Sequence, residues 1–201
     1  MKKLLGMTAV MALFAGCAET SESTEGAEVA DDEQAATDTV ASDVLTPDGW
    51  GPLRIGMTRD EVTAAVGDFD DPDGTGLPDP ESCDNYPPSR APAGLYVMLE
   101  QGVLTNIALA EGSTVETSEG LSVGDSADAV RAAYGDQLVV EPHHYIGLPA
   151  EYLTVWIAGE ITENGTSDPN ARGIRYETNT DGLIQLIHAG GPSIQYVEGC
   201  L

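Results

Sequence analysis

After Lys3 the chain contains no lysine at all. Six arginines stand against 34 aspartates and glutamates, and no acidic residue precedes Cys17, so the stretch beyond it carries a net charge of −28 with histidines neutral. Phosphate backbones are held by clustered Lys and Arg, which excludes nucleic-acid binding. Adsorption to anionic lipid head groups is disfavoured for the same reason. The three cysteines include no C-x-x-C pair, so dithiol redox chemistry has no local motif. No apolar run approaches the length of about 20 residues that a bilayer-spanning helix needs. No serine sits in a setting that would activate it as a nucleophile.

The ends of the chain carry clearer signals. Residues 1–17, "MKKLLGMTAVMALFAGC", place Lys2 and Lys3 before thirteen mostly apolar residues that end in a small pair, Ala15-Gly16, ahead of Cys17. That is the layout of a secretory signal. "LFAGC" resembles the bacterial lipobox, with Phe14 where an aliphatic residue is usual, and Cys17 is the expected lipidation site. Ala18 after it favours an outer-membrane anchor. With Cys17 acylated, Cys83 and Cys200 remain in an oxidising compartment and are expected to pair as a structural disulfide. Residues 18–48 hold ten acidic residues, no basic ones and no aromatic. Such a segment cannot bury enough apolar surface to offset its ordering entropy, so it is expected to be a disordered acidic tether. Its flexible reach is roughly 30 Å.

The remainder, about 49–201, repeats itself. "LRIGMTRDEVTAAVGD" (53–68) and "LSVGDSADAVRAAYGD" (121–136) agree at eight of sixteen positions with a constant offset of 68. Each copy opens with a short β-like segment, "PLRIG" or "GLSVG", and continues into a helix. Thr58 and Ser126 are the N-cap candidates, and Thr58-x-x-Glu61 makes a capping box. The faces expected to be buried are Val62, Ala65 and Val66, then Val130, Ala133 and Tyr134. Gly67 and Gly135 are the stops. The hydrophobic period then changes from 3.6 to 2. "GLYVMLEQGVLTNIAL" predicts two strands joined at Gln101-Gly102, and "GIRYETNTDGLIQLIHA" two joined at Asp181-Gly182. "QLVV" (137–140), "EYLTVWIA" (151–158) and "PSIQYV" (192–197) are further strand candidates. The expected fold is α+β: two tandem repeats, 49–118 and 119–201, each a short helical segment packed on an antiparallel β-sheet.

The segment "LRIGMTRDEVTAAVG" resembles the G-M-T-x-x-x-V-x-x-x-x-G signature shared by the outer-membrane assembly lipoproteins (SmpA/OmlA) and the tandem-repeat β-lactamase inhibitor proteins. The resemblance covers about 52–200. It implies α+β units, in tandem in the second group, and a non-catalytic protein-binding role outside the cytoplasm. The second copy departs from the signature at Gly124-Asp125-Ser126, and the proline-rich stretch 72–93 has no counterpart in it. The matching residues are a turn glycine, a cap and a core face, so they carry over a fold and no partner-contacting residue.

Few residues point to chemistry. In "EPHHY" (141–145), His143 and His144 face opposite sides of a strand and do not chelate together; a zinc site would need His188 and a carboxylate such as Glu141 or Glu177 to converge with them. "DFDDPDGTGLPDPE" (68–81) puts Asp71 and Asp73 at the third and fifth places of an EF-hand loop. It also puts Phe69 at the first and Pro80 at the twelfth, where Asp and Glu are required. Tyr152, Thr154 and Trp156 share one face of a strand, with Leu153, Val155 and Ile157 on the other. Tyr152, Trp156, Tyr145 and His143 are the candidate partner-binding residues, since aromatic side chains supply most interface energy. The expected protein is a non-catalytic envelope lipoprotein, without metal or cofactor, that binds another envelope protein. A calcium-stabilised or small-ligand-binding envelope protein is the second reading, and a hydrolase using His143 and His144 the third.

Overall fold

Helix formation starts at the two hydroxyl residues that the repeat singles out. In the computed structural model, which describes residues 43–69, 79, 81–163 and 165–200, helix α1 spans Arg59–Val66 and α2 spans Ala127–Tyr134. The capping box is present: the Glu61 carboxylate accepts from the Thr58 N–H at 2.8 Å while the Thr58 hydroxyl accepts from the Glu61 N–H. Ser126 accepts from the Ala129 N–H at 3.2 Å. Gly67 and Gly135 end the helices with φ of 82° and 54°. In α1, Val62 and Val66 are buried. In α2 the buried residues are Ala127 and Val130, whereas Ala133, expected inside, is exposed. The hydroxyl of Tyr134 lies 2.9 Å from that of Tyr176 and donates to Glu119 at 2.8 Å, which fixes the helix's rotation and turns Ala133 outward.

The strands form a two-residue hairpin, β1 (Gly49–Trp50) with β2 (Leu53–Arg54), and one seven-stranded antiparallel sheet. The large sheet contains β3 (Cys83–Tyr86), β4 (Leu95–Glu100), β5 (Val103–Leu109), β6 (Val139–Pro142), β7 (Glu151–Ala158), β8 (Arg172–Thr178) and β9 (Ile184–Gly190). Their order is β3-β4-β5-β9-β8-β7-β6. Gln101 and Gly102, with φ of 51° and 76°, make the tight turn between β4 and β5 that the sequence predicts.

Four expectations are corrected. The halves share one sheet, because β5 pairs with β9 through Asn106↔Gly190, Ile107↔Ala189, Ala108↔His188 and Leu109↔Ile187. "GLSVG" is not a strand, and "PLRIG" contributes only β2. "PSIQYV" forms a 3₁₀ turn over Pro192–Gln195. Pro192 has no N–H to give a ladder, and the Gly191 N–H and Ser193 hydroxyl both donate to the Thr105 carbonyl. Residues 43–48, the end of the expected tether, are structured, with Leu45 fully buried and its N–H bonded to Glu116 O at 2.7 Å. Residues 1–42, including Cys17, and the calcium-loop candidates Asp71 and Asp73 lie outside the described residues.

The two helix starts attach to the sheet by matching backbone hydrogen bonds. Gly56 N–H donates to Leu104 O, Leu104 N–H to Met57 O, and Arg59 N–H to Gly102 O. Likewise Gly124 N–H donates to Ile184 O, Ile184 N–H to Asp125 O, and Ala127 N–H to Gly182 O. Both helices therefore lie on one sheet face, and Val62, Val66 and Val130 join Leu104, Ile107, Leu153, Val155, Ile174 and Ile187 in one core. On the other face, residues 191–200 cross the sheet as a strap that ends in a disulfide from Cys200 to Cys83 on edge strand β3.

That disulfide closes a loop with a sequence separation of 117. Chain-entropy reasoning puts its contribution at up to about 5 kcal/mol. Replacing both cysteines by serine is expected to lower the urea midpoint and to raise the m-value, since the unfolded chain loses its cross-link and expands, measured by circular dichroism against the parent.

Candidate functional site

Alternation along the strands sends every second side chain away from the helices. On β7 these are Tyr152, Thr154 and Trp156, and on β8 Gly173, Arg175 and Glu177, with Thr154 opposite Arg175 and Trp156 opposite Gly173. On β9, His188 lies opposite Arg175. A glycine is needed at 173, since an added Cβ would stand 2.7 Å from the Trp156 ring and 2.6 Å from Val155 O. The indole therefore packs on the bare backbone there.

Arg175 organises this face. Its guanidinium stacks on Tyr152, 3.7 Å from the ring centroid. One Nη donates to Ile194 O of the strap at 3.3 Å, and the other stands 4.0 Å from the Glu141 carboxylate. Burial lowers its pKa from the ordinary arginine value, against the opposing pull of Glu141, Tyr152 and Glu177. Beside it, the His143 ring stacks on Tyr152 at 4.8 Å between centroids. His143 Nδ1 accepts from the Tyr145 and Ile146 N–H groups, so the neutral ring carries its proton on Nε2 and donates to Glu177 at 3.0 Å. Gln185 donates to the same Glu177 oxygen at 2.6 Å.

The four aromatic candidates thus separate. Tyr152 and His143 are buried supports, Trp156 is half-buried, and Tyr145 is 62 % exposed. His144 is outside, edge-on to Tyr145. His188 faces Asn106, whose Nδ2 is 3.2 Å from its Nδ1. The three histidines therefore point to different neighbours, and no cluster of three or more His, Cys, Asp or Glu among the described residues is arranged to hold a metal ion.

Of the rim around them, sequence reasoning singled out Tyr145 alone as a binding candidate. Of the large apolar side chains that are exposed, Val139, Val140, Tyr145, Ile146, Leu148, Ile157 and Ile161 all fall between positions 139 and 161. Leu148 is the most open of these, at 69 %. Ile157 shares its strand face with Leu153 and Val155, but the ladder slips between Trp156 and Ala158 and leaves it outside the core. β6, the sheet edge beside this rim, is exposed at all four residues. The available signal was the run "YIGLP", apolar but bracketed by glycine and proline, which marks a loop carrying hydrophobic groups to the surface.

No family model, curated protein or solved structure matches the chain.

His188 gives this face a pH signature. Desolvation, aided by the charge on Arg175 and opposed by Glu177, pushes its pKa down from 6.5 to about 4. The folded state therefore binds fewer protons than the unfolded chain between those values, and stability falls as pH drops through that window. The loss is of order 3 kcal/mol by pH 4. Melting temperatures of wild type and His188→Gln are expected to diverge between pH 4 and 6.5, with the variant falling less steeply.

Proposed function

We propose that this chain is a non-catalytic protein-binding module of the bacterial envelope, lipid-anchored at the outer membrane through Cys17, whose partner docks on the rim of loop 143–150 and edge strand β6. The observation that carries the reading is the concentration of exposed apolar side chains on that rim. Surface of this kind on a chain so acidic is stabilised by covering it. The loop is not loosely held. His143 anchors it to Glu177 and to two backbone N–H groups, so binding there costs little ordering entropy. Glu141 and Glu163 border Val139 and Ile161, and Asp136 and Glu160 are exposed close to them in sequence, so the complementary surface is an apolar pocket with a basic border.

The tandem reading supports the same role. The two 16-residue matches, the paired caps and the matching hydrogen bonds at both helix starts fit two copies of one α+β unit. Joined through β5 and β9, two such units offer a broader surface than one. The resemblance to outer-membrane assembly lipoproteins and tandem-repeat β-lactamase inhibitor proteins agrees with an extracytoplasmic binding module.

Capture from detergent-solubilised envelope on the immobilised chain lacking residues 1–17 tests the reading. A saturable partner is expected, with affinity reduced about thirtyfold by Leu148→Asp, the size of a hot-spot loss of about 2 kcal/mol. The melting temperature should stay unchanged, because Leu148 makes no core contact. Equal capture by the parent and by a Tyr145→Ala/Leu148→Asp variant would overturn the rim assignment.

A further inference from the structure

Arginine is scarce in this chain, and five of the six are visibly employed. Arg54 donates to Gly51 O and Leu53 O. Arg59 pairs with Asp84 and Asp68, and Arg90 donates to Thr63 O and Ala64 O. Arg131 pairs with Glu151 and Asp128, and Arg172 donates to Pro169 O and Ala171 O. Arg175, stacked on Tyr152 and 4.0 Å from Glu141, is the least satisfied of the six. Its side chain is only 6 % exposed, and a guanidinium has five N–H donors, yet among the described residues its one hydrogen bond is to Ile194 O. Its Nε is buried without an acceptor. Holding a buried cation with so little compensation costs several kcal/mol, which a fold keeps where the group has another use.

Arg175 lines a cavity of about 240 Å³ between β6, β7, the strap and the segment around Ile161. The cavity's other walls are Trp156, Val139, Ile161 and Val197, with Thr154 and His144 as polar groups. Trp156 is seated on Gly173 and Arg175 on Tyr152, so the aromatic wall and the cation are both fixed in advance. One cation bordered by the carboxylates of Glu141 and Glu163 cannot suit a polyanion. It suits a single carboxylate, which a guanidinium matches in a two-pronged hydrogen bond. Glu141, 59 % exposed and 4.0 Å from Nη2, already leans toward that position from the rim.

We propose that the cavity beside Arg175 is a binding site for a small monocarboxylate with an aromatic or aliphatic body, its carboxylate on the guanidinium and its body against Trp156. Glu141 competes with the ligand for Arg175 and holds the site partly neutral when no ligand is bound. The site adjoins the apolar rim and shares Val139 and Ile161 with it, but its occupancy does not depend on the protein-binding role.

Phenylacetate and its neutral counterpart 2-phenylacetamide are the probes. The readout is the indole N–H signal of Trp156 in proton–nitrogen correlation spectra of the purified protein, distinguished from that of Trp50 by a Trp50→Phe sample. Phenylacetate is expected to shift the Trp156 signal saturably and leave Trp50 in place, with the amide at least tenfold weaker. Glu141→Gln, a change at an exposed residue, is expected to tighten phenylacetate at least threefold, and Arg175→Gln to abolish the effect. If Arg175→Gln does not fold, the amide comparison and Glu141→Gln still decide. No saturable shift, equal response to acid and amide, or binding unaltered by Glu141→Gln would each overturn the proposal.

Discussion

Everything in this molecule follows from four residue pairs, Asn106 to Leu109 of β5 against Ile187 to Gly190 of β9. This seam joins two hairpins more than seventy positions apart into one sheet, so that both helices can share a single core. It is sterically demanding. Gly190 has φ of 151°, and an added Cβ would stand 2.3 Å from the Thr105 carbonyl oxygen. The same carbonyl accepts from Gly191 and Ser193, so the seam also launches the strap over the second face. Without it, each hairpin would keep an open edge and an uncovered face, a poor basis for independent stability.

The second face is where the site arises. Helices α1 and α2 pack on one side with Leu45, Leu53, Val115 and Leu121, while the strap covers only part of the other and leaves Arg175, Tyr152, Trp156 and His143 between it and β6. A stacked arginine, a stacked histidine and a shared carboxylate at Glu177 tie these side chains together. The strong negative charge of the chain makes each arginine consequential. The one that is buried and nearly unpaired lies on this face, beside the rim that carries most of the exposed apolar groups.

Local features were legible in the sequence. Thr58, Glu61 and Ser126 announced the helix starts, Gln101-Gly102 the tight turn, and the alternation in 151–158 the strand β7. The pairing of Cys83 with Cys200 followed from setting Cys17 aside. Nonlocal features were not legible. Nothing in "TNIAL" or "IHAG" says that they pair with each other, because strand pairing is decided by tertiary packing. β3, "CDNY", was hidden for a related reason. Asp84 is buried there against Arg59, a partner 25 positions away. Tyr152 and His143 read as interface residues because they are aromatic and polar, yet their mutual stacking puts them beneath the surface that Tyr145 and Leu148 present.

The dependence of the whole on the seam can be measured by native-state amide hydrogen exchange. Site-specific exchange of Ile107, Leu109, Ala189 and Ile187 should proceed only through global unfolding, with free energies equal to those of Ile174 and Val155 and to the denaturant-derived stability. Residues of the two hairpins should then merge into one isotherm. Two isotherms, one for residues 43–118 and another for 119–200, with seam amides exchanging before either, would contradict the account.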